Sequence, residues 1–249
     1  MCSNIYKSYK YDFNKFLIHT NEKAVLYSEI LKYINLFKVR SLLDIGPGNG
    51  EISIPLSNMV EKYCAVEMNS NFIPKLLNKN LNVIEGEFPL NIENSFDMIL
   101  ASHTISYRHK DFSRYIGAFF KCAWKLLNSG GILLLINSAG NEGEWTTFMN
   151  RIGMQEELIP SQKGYKEILL KLRLLGKLSI LKIDSFIRTN NIDDMIDSLT
   201  FIASKGDPLR KTKFLSNRVK IEEVLKKSYF INNEFVFPLE HYFHILIKK

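Results

Sequence analysis

A chain of 249 residues, 46% hydrophobic and 24% charged, has ordinary globular composition and room for one α/β domain with additions. No apolar run approaches the roughly 18 to 20 residues of a membrane helix, and the polar, aromatic start MCSNIYKSYKYDF lacks a signal-peptide core. The net charge of +7 sits unevenly: Lys and Arg number 15 against 14 acidic residues over 1–150, and 18 against 12 over 151–249. Such an excess can be a nucleic-acid footprint, yet the longest basic runs are pairs such as Arg210-Lys211 and Lys226-Lys227. Alternation with apolar residues at helical spacing favours solvated helix faces instead. Cys2, Cys64 and Cys122 are scattered and without C-x-x-C spacing, so they read as free thiols of a reducing compartment, with the cytoplasm as expected location.

In chain order, residues 1–35 are amphipathic and aromatic and are expected to form helices ahead of the first strand. They either cap the core or close over a substrate. The stretch 41–52, SLLDIGPGNGEI, follows. Leu42, Leu43 and Ile45 read as a buried strand, and Gly46, Gly48 and Gly50 as a tight turn opening a helix at Glu51. Glycine suits backbone at positive φ, or backbone that a ligand must approach closely. A glycine turn leaving a parallel strand is a nucleotide-binding device, because ligands sit at the carboxyl ends of such strands. The next strand, 63–66, ends in Glu67, about 20 residues on, where a carboxylate can take both hydroxyls of a ribose.

Helices are expected over 52–59 and 71–78, and strands over 81–84, 96–101 and 132–136. A strongly patterned helix covers 111–127, ended by Asn128-Ser129-Gly130-Gly131 with glycine as left-handed cap. Beyond come helices over 144–153, 161–175, 193–204 and 215–229, a strand over 178–187, a loop over 205–212 and a last strand over 235–247.

D-I-G-P-G-N-G followed by A-V-E-M resembles the cofactor half of class I S-adenosylmethionine-dependent methyltransferases, and L-L-N-S-G-G-I-L-L-L is similar to a later segment of that family. The resemblance implies a Rossmann-like seven-stranded sheet whose last strand is antiparallel. It implies one domain over 1–249, with a helical lid (1–38), a cofactor-binding core (39–138), and substrate-side helices and final strands (139–249). S-adenosyl-L-methionine is the implied cofactor and S-adenosyl-L-homocysteine its product. Asp44, Gly46, Pro47, Gly48, Gly50, Glu67 and Met68 would hold it. Glu87 and Phe88 would lie at the adenine, and Ser102 beside the sulfonium. The set Asp/Asn-Pro-Pro-Tyr/Phe of enzymes that methylate amino groups of nucleic acids is missing after the fourth strand, which argues against a base amine as acceptor.

Three further segments resemble histamine N-methyltransferase: Tyr9 with 13–22, His103 with Tyr107, and 138–140 with 145–153. That resemblance implies Glu22 as anchor for a substrate cation, Tyr9, Phe13, Tyr107 and Trp145 as aromatic walls, and Glu240 as a contact from the last strand. His103 stands where that family has glutamine, so histamine itself is not expected. A protonated amine is well held by a carboxylate and aromatic faces. Each of these residues also has a plainer reading: Trp145 as packing under its helix, Glu22 as a surface carboxylate. His103 is either the general base or a hydrogen-bonding pocket residue. His241 and His244, three apart on a strand, fall on opposite faces and make a poor metal pair, and no metal site is expected. The reading is therefore methyl transfer to a small molecule, an amine first. The alternatives are an O-methyltransferase with His103 as base, an RNA- or protein-directed enzyme using the basic last third, and a cofactor-binding module without catalysis.

Overall fold

The computed structural model describes residues 2–105, 110–138 and 143–249, with side chains from Tyr11 onward. Ten α-helices and eight strands are described: α1 Cys2–His19, α2 Glu22–Leu36, β1 Ser41–Ile45, α3 Ser53–Ser57, β2 Lys62–Glu67, α4 Ile73–Leu77, β3 Val83–Glu85, β4 Phe96–Ser102, α5 Phe112–Leu126, β5 Leu127–Ser138, α6 Glu144–Arg151, α7 Ile159–Leu175, β6 Ser179–Thr189, α8 Ile192–Ser204, α9 Pro208–Leu215, α10 Arg218–Ser228, β7 Phe230–Ile231 and β8 Glu234–Ile247. The strand order is β3-β2-β1-β4-β5-β8-β6, with β7 paired to β8. Strands β1 to β5 pair in parallel, and β8 runs antiparallel to β5. This is the expected Rossmann-like sheet with its reversed late strand. It has eight strands rather than seven, because β7 adds a two-residue hairpin arm.

The chain divides into two compact units, one of Met1–Val25, Glu142–Glu157 and Asp184–Glu240, the other of Leu26–Asn141, Leu158–Ile183 and His241–Lys249. The second holds the parallel sheet. Its strands are near-continuous apolar runs because both faces are covered. Leu43, Ile45, Ile99, Ala101, Leu133 and Leu135 face Ile116, Phe119 and Phe120 of α5 and Ile168 and Leu172 of α7. Leu42, Met98, Leu100, Ile132, Leu134 and Ile136 face Leu26, Ile30 and Ile34 of α2 and Leu56 of α3. Each fully buried aliphatic or aromatic side chain contributes about 1.5–3 kcal/mol, so the carboxyl edge of these strands is a rigid base for a site.

Helix α5 starts where Asp111 accepts a bond from the Arg114 N–H at 3.2 Å. Its end differs from the expected glycine cap. The chain goes straight from Leu126 into extended backbone at Leu127, which already pairs with Phe96. Carbonyls at the helix end need donors, and Lys248 supplies them, its Nζ lying 2.7 Å from the Trp124 carbonyl and 2.6 Å from that of Leu127. Replacing Lys248 by Met keeps the stem and removes the donors. The expected cost is about 1 kcal/mol, seen as a melting temperature about 2–4 °C lower.

In the other unit, Phe13 and Phe16 of α1 pack on Phe201 of α8, both with ring centroids 5.2 Å away. Trp145 and Phe148 of α6 pack with Phe214 of α9 and Phe237 of β8. The expected loop over 205–212 is largely helix α9. Asp207 accepts from the Leu209 and Arg210 N–H groups at 2.9 and 3.3 Å, and Pro208 occupies the first helical position. That pairing of an acidic cap with proline starts helices. The β7–β8 hairpin turns through Asn232 and Asn233, both at positive φ (52° and 64°), as a two-residue hairpin requires.

Candidate cofactor site and active-site rim

The chain leaves β1 through Gly46, whose φ of +72° and close approach to Thr104 exclude any side chain. Its N–H donates to the Val66 carbonyl at 2.8 Å, which pins the turn to the end of β2. Two residues on, the Gly48 N–H donates to Glu67 Oε2 at 2.8 Å. The Asn69 N–H donates to Glu67 Oε1 at 2.8 Å, so a single buried carboxylate joins the loops after β1 and β2. A carboxylate has about four acceptor positions, and these bonds use one on each oxygen. A Cβ built on Gly48 meets nothing within 4 Å, so there is open space in front of this turn. Met68, two-thirds exposed, offers an apolar face directly after Glu67.

Asp44, expected to face the cofactor, is turned inward. Its carboxylate accepts from Ser53 Oγ at 2.5 Å and Tyr63 Oη at 2.8 Å, and it is 3% exposed. Burial pushes its carboxyl up to about 6, against the two hydrogen bonds and with the Glu67 charge adding to the rise. Asp44 therefore braces the turn from behind. Phe88 is a second correction: its ring is buried in the core, edge-on to Phe119 with centroids 4.9 Å apart. That leaves Gly86, whose N–H donates to the Glu67 carbonyl at 3.0 Å, and the exposed Glu87 at the edge past β3. Pro47 and Gly50 complete the turn, the Gly50 N–H donating to the Pro47 carbonyl at 3.1 Å.

At the end of β4, Ser102 pairs with Ile136 of β5. The next residue, His103, sits at φ +55° and donates its backbone N–H to the Ile136 carbonyl at 2.9 Å. This left-handed kink costs a non-glycine residue about 1–2 kcal/mol, and an outlier of that kind at the edge of a site invites a functional reading. The imidazole meets His241 of β8: Nε2 lies 3.2 Å from Nδ1, with the rings edge-on at 5.3 Å. Sequence reading set His241 aside; its alternation along β8 was legible, its partner was not. Thr104 was also missed. Its Oγ1 is buried without a hydrogen-bond partner, which costs about 1–3 kcal/mol unless a ligand's polar group meets it.

Gly46→Ala is expected to destabilise the fold by about 2 kcal/mol, combining left-handed strain with overlap on the Thr104 methyl group. Adding Thr104→Ser removes that methyl and should restore only the overlap part, as thermal unfolding of the single and double variants would read.

The remaining expected substrate residues lie in the other unit. The Phe13 ring is 9% exposed within its aromatic cluster and has Lys23 Nζ 5.8 Å from its centre. Glu22 is buried and ion-paired with Lys23 at 2.6 Å. Trp145 is half-buried against Phe148, Phe214 and Phe237. Glu240 accepts from the Glu144 N–H at 3.0 Å and so caps α6, over a glycine (Gly143, φ +104°) where no side chain fits. Tyr107 and the Tyr9 side chain lie outside the described residues.

Comparison with known proteins bears on the fold. A family model described as DREV methyltransferase matches residues 13–126, just under half of the chain. The BH2331 protein of Bacillus halodurans C-125, provisionally described as a methyltransferase, superposes with a TM-score of 0.54 at 12% identity, over 89% of this chain and 99% of its own. The chain has a Rossmann-like methyltransferase fold. The YcgJ protein of Bacillus subtilis is similar over 87% of this chain and 96% of its own, at 15% identity and a TM-score of 0.54. No curated protein matches the sequence, and the narrower likeness to histamine N-methyltransferase finds no support in these comparisons. S-adenosyl-L-methionine is the cofactor that the sequence resemblance implies for such a site. The residues present fit it: an acidic side chain with spare acceptor positions, open space before Gly48, an exposed thioether, and an orphaned hydroxyl beside the glycine turn. Among the described residues no helix is long and apolar enough to cross a membrane.

Proposed function

We propose that the protein methylates a small molecule whose acceptor atom must give up a proton, a hydroxyl ahead of an amine. The observation that carries this reading is His103, held at positive φ past β4 and hydrogen-bonded to His241. When bound, the cofactor supplies an electrophilic methyl group on a sulfonium and retains the departing electron pair on sulfur. Glu67 and the Gly48 backbone would hold the ribose side, Met68 would offer a face to the adenine, and Thr104 would meet the polar tail beside Gly46. His103 takes the proton that the acceptor loses, which suits an imidazole at neutral pH.

The amine-first expectation rested on Glu22 and an aromatic cage. Glu22 is paired with Lys23, while Phe13 and Trp145 are packed in aromatic clusters. The basic last third supports a small acceptor over a nucleic acid. Arg210 and Lys213 pair with Glu157, Lys211 with Asp12, Arg218 with Asp193 and Glu222, and Lys226 with Glu222. These pairings leave fewer cations of that unit to track a phosphate backbone.

Calorimetry with S-adenosyl-L-homocysteine tests the cofactor, and a panel of amines and their hydroxyl isosteres, read by homocysteine release, tests the acceptor. Turnover on hydroxyl compounds that is lost at least 100-fold in His103→Leu is expected. Turnover on amines alone, unchanged in that variant, overturns the base assignment.

A further inference from the structure

His241 has no place in the cofactor seat, yet it is 2% exposed and points at the one residue the reaction reading depends on. The pairing of β8 with β5 brings it there: Ser138 pairs with His241, Ile136 with Phe243 and Leu135 with His244. Alternation sends the two histidines to opposite faces of the sheet. His244 goes to the side of α7, where it meets Tyr165 Oη at 3.0 Å and the Leu135 carbonyl at 3.3 Å. His241 goes to the other face and meets His103.

We infer that His241 is a positioning residue for His103: it fixes the tautomer and orientation of the imidazole that receives the acceptor's proton. A neutral imidazole has one donor and one acceptor nitrogen. Two rings joined through Nε2 of His103 and Nδ1 of His241 hold a single hydrogen between them, so the tautomer of one dictates that of the other. The productive arrangement has His103 Nε2–H donating to His241 Nδ1, with the proton of His241 on its own Nε2. The proton leaving the acceptor then adds to His103, and the positive charge is shared across the Nε2–H···Nδ1 bond. No further reactant is needed. The backbone bond from His103 to Ile136 anchors the main chain that carries one ring, and burial encloses the ring of His241, as a supporting shell must.

The inference rests on the methyltransferase reading, but its test does not need turnover. Imidazole nitrogen shifts of the 15N-labelled full chain, recorded at one pH, are expected to show His103 as a single tautomer protonated on Nε2. His241→Phe should give His103 averaged shifts of mixed tautomers. His241→Asn, whose carbonyl oxygen can accept the same bond, should restore the single tautomer. With any acceptor found, kcat should fall about 10- to 100-fold in His241→Phe, recover in His241→Asn, and leave KM for the cofactor within twofold. Identical His103 shifts in wild type and His241→Phe overturn the inference. If His241→Phe does not fold, His103→Leu is read instead. The His241 Nδ1 shift must then move, and an unmoved shift overturns the pair. Failure of S-adenosyl-L-homocysteine to bind wild type, with the tautomer result intact, would count against the function and not against the pair.

Discussion

Glu67→Ala is expected to weaken S-adenosyl-L-homocysteine binding about 30- to 1,000-fold, or roughly 2–4 kcal/mol. The side chain bonds two backbone N–H groups and, in the proposed function, would also take the ribose hydroxyls, so the substitution removes both. Each carboxylate oxygen already takes one backbone N–H, from Gly48 and Asn69, and has a further acceptor position to offer. Hydroxyl bonds to an ionised, 4% exposed carboxylate belong to the strong class. Without the carboxylate, the Gly48 and Asn69 N–H groups also lose the acceptor that holds the two loops together, so the seat loosens before any ligand arrives. Glu67→Gln separates these effects. A carboxamide keeps one acceptor oxygen and turns an NH2 group toward either Gly48 or Asn69, so its loss should lie between wild type and Ala. Calorimetry on variants that melt within a few degrees of wild type reads the difference. An unchanged dissociation constant in Glu67→Ala would place the ribose elsewhere and remove the seat from the account.

Features of the site that depend on backbone alone were legible in the sequence. Gly46 and Gly48 sit at positive φ, and glycine is the residue that such backbone asks for. The strand–turn spacing to Glu67 is likewise local. What was not legible is set by pairing across the chain. His241 reaches His103 only because β8 inserts beside β5, a relation 138 residues apart. The end of α5 looked like a glycine cap, but Lys248 supplies the donors from the far end of the chain. Phe88 and Trp145 show a different limit: an aromatic residue near a site has the same sequence signature whether it lines a pocket or fills a core. Phe88 packs on Phe119 and Trp145 on Phe214, and neither contact has a local pattern. Two misses were avoidable, since Asp207-Pro208 is a helix start and Asn232-Asn233 a hairpin turn.

Between pH 6.5 and 4, the dependence of folding stability on pH should depart from that of wild type in opposite directions in two single variants. His244 is fully buried and burial lowers its imidazole from 6.5 to about 4. Its contribution is present above pH 6.5 and is lost as pH falls through about 4, because the unfolded chain binds the proton first. Asp44 has the reverse sign. Burial raises its carboxyl from 3.8 to about 6, so its contribution is full below 3.8 and is lost as pH rises through 6. Each shift corresponds to about 3 kcal/mol, and the two windows nearly coincide. Asp97 stays outside them: burial raises its carboxyl, but bonds from Asn128, Arg40 and Ser41 outweigh this and hold it below 3.8. Relative to wild type, Asp44→Asn should therefore lose about 3 kcal/mol on acidification from 6.5 to 4, while His244→Gln should gain about as much. Urea unfolding at half-unit pH steps reads the slopes, whatever each substitution does to stability at pH 7. Slopes parallel to wild type in both variants would mean that neither group titrates as its burial requires. Because the Glu67 charge adds to the rise at Asp44, Glu67→Ala should also shift the Asp44 window toward lower pH, linking the brace behind the glycine turn to the carboxylate in front of it.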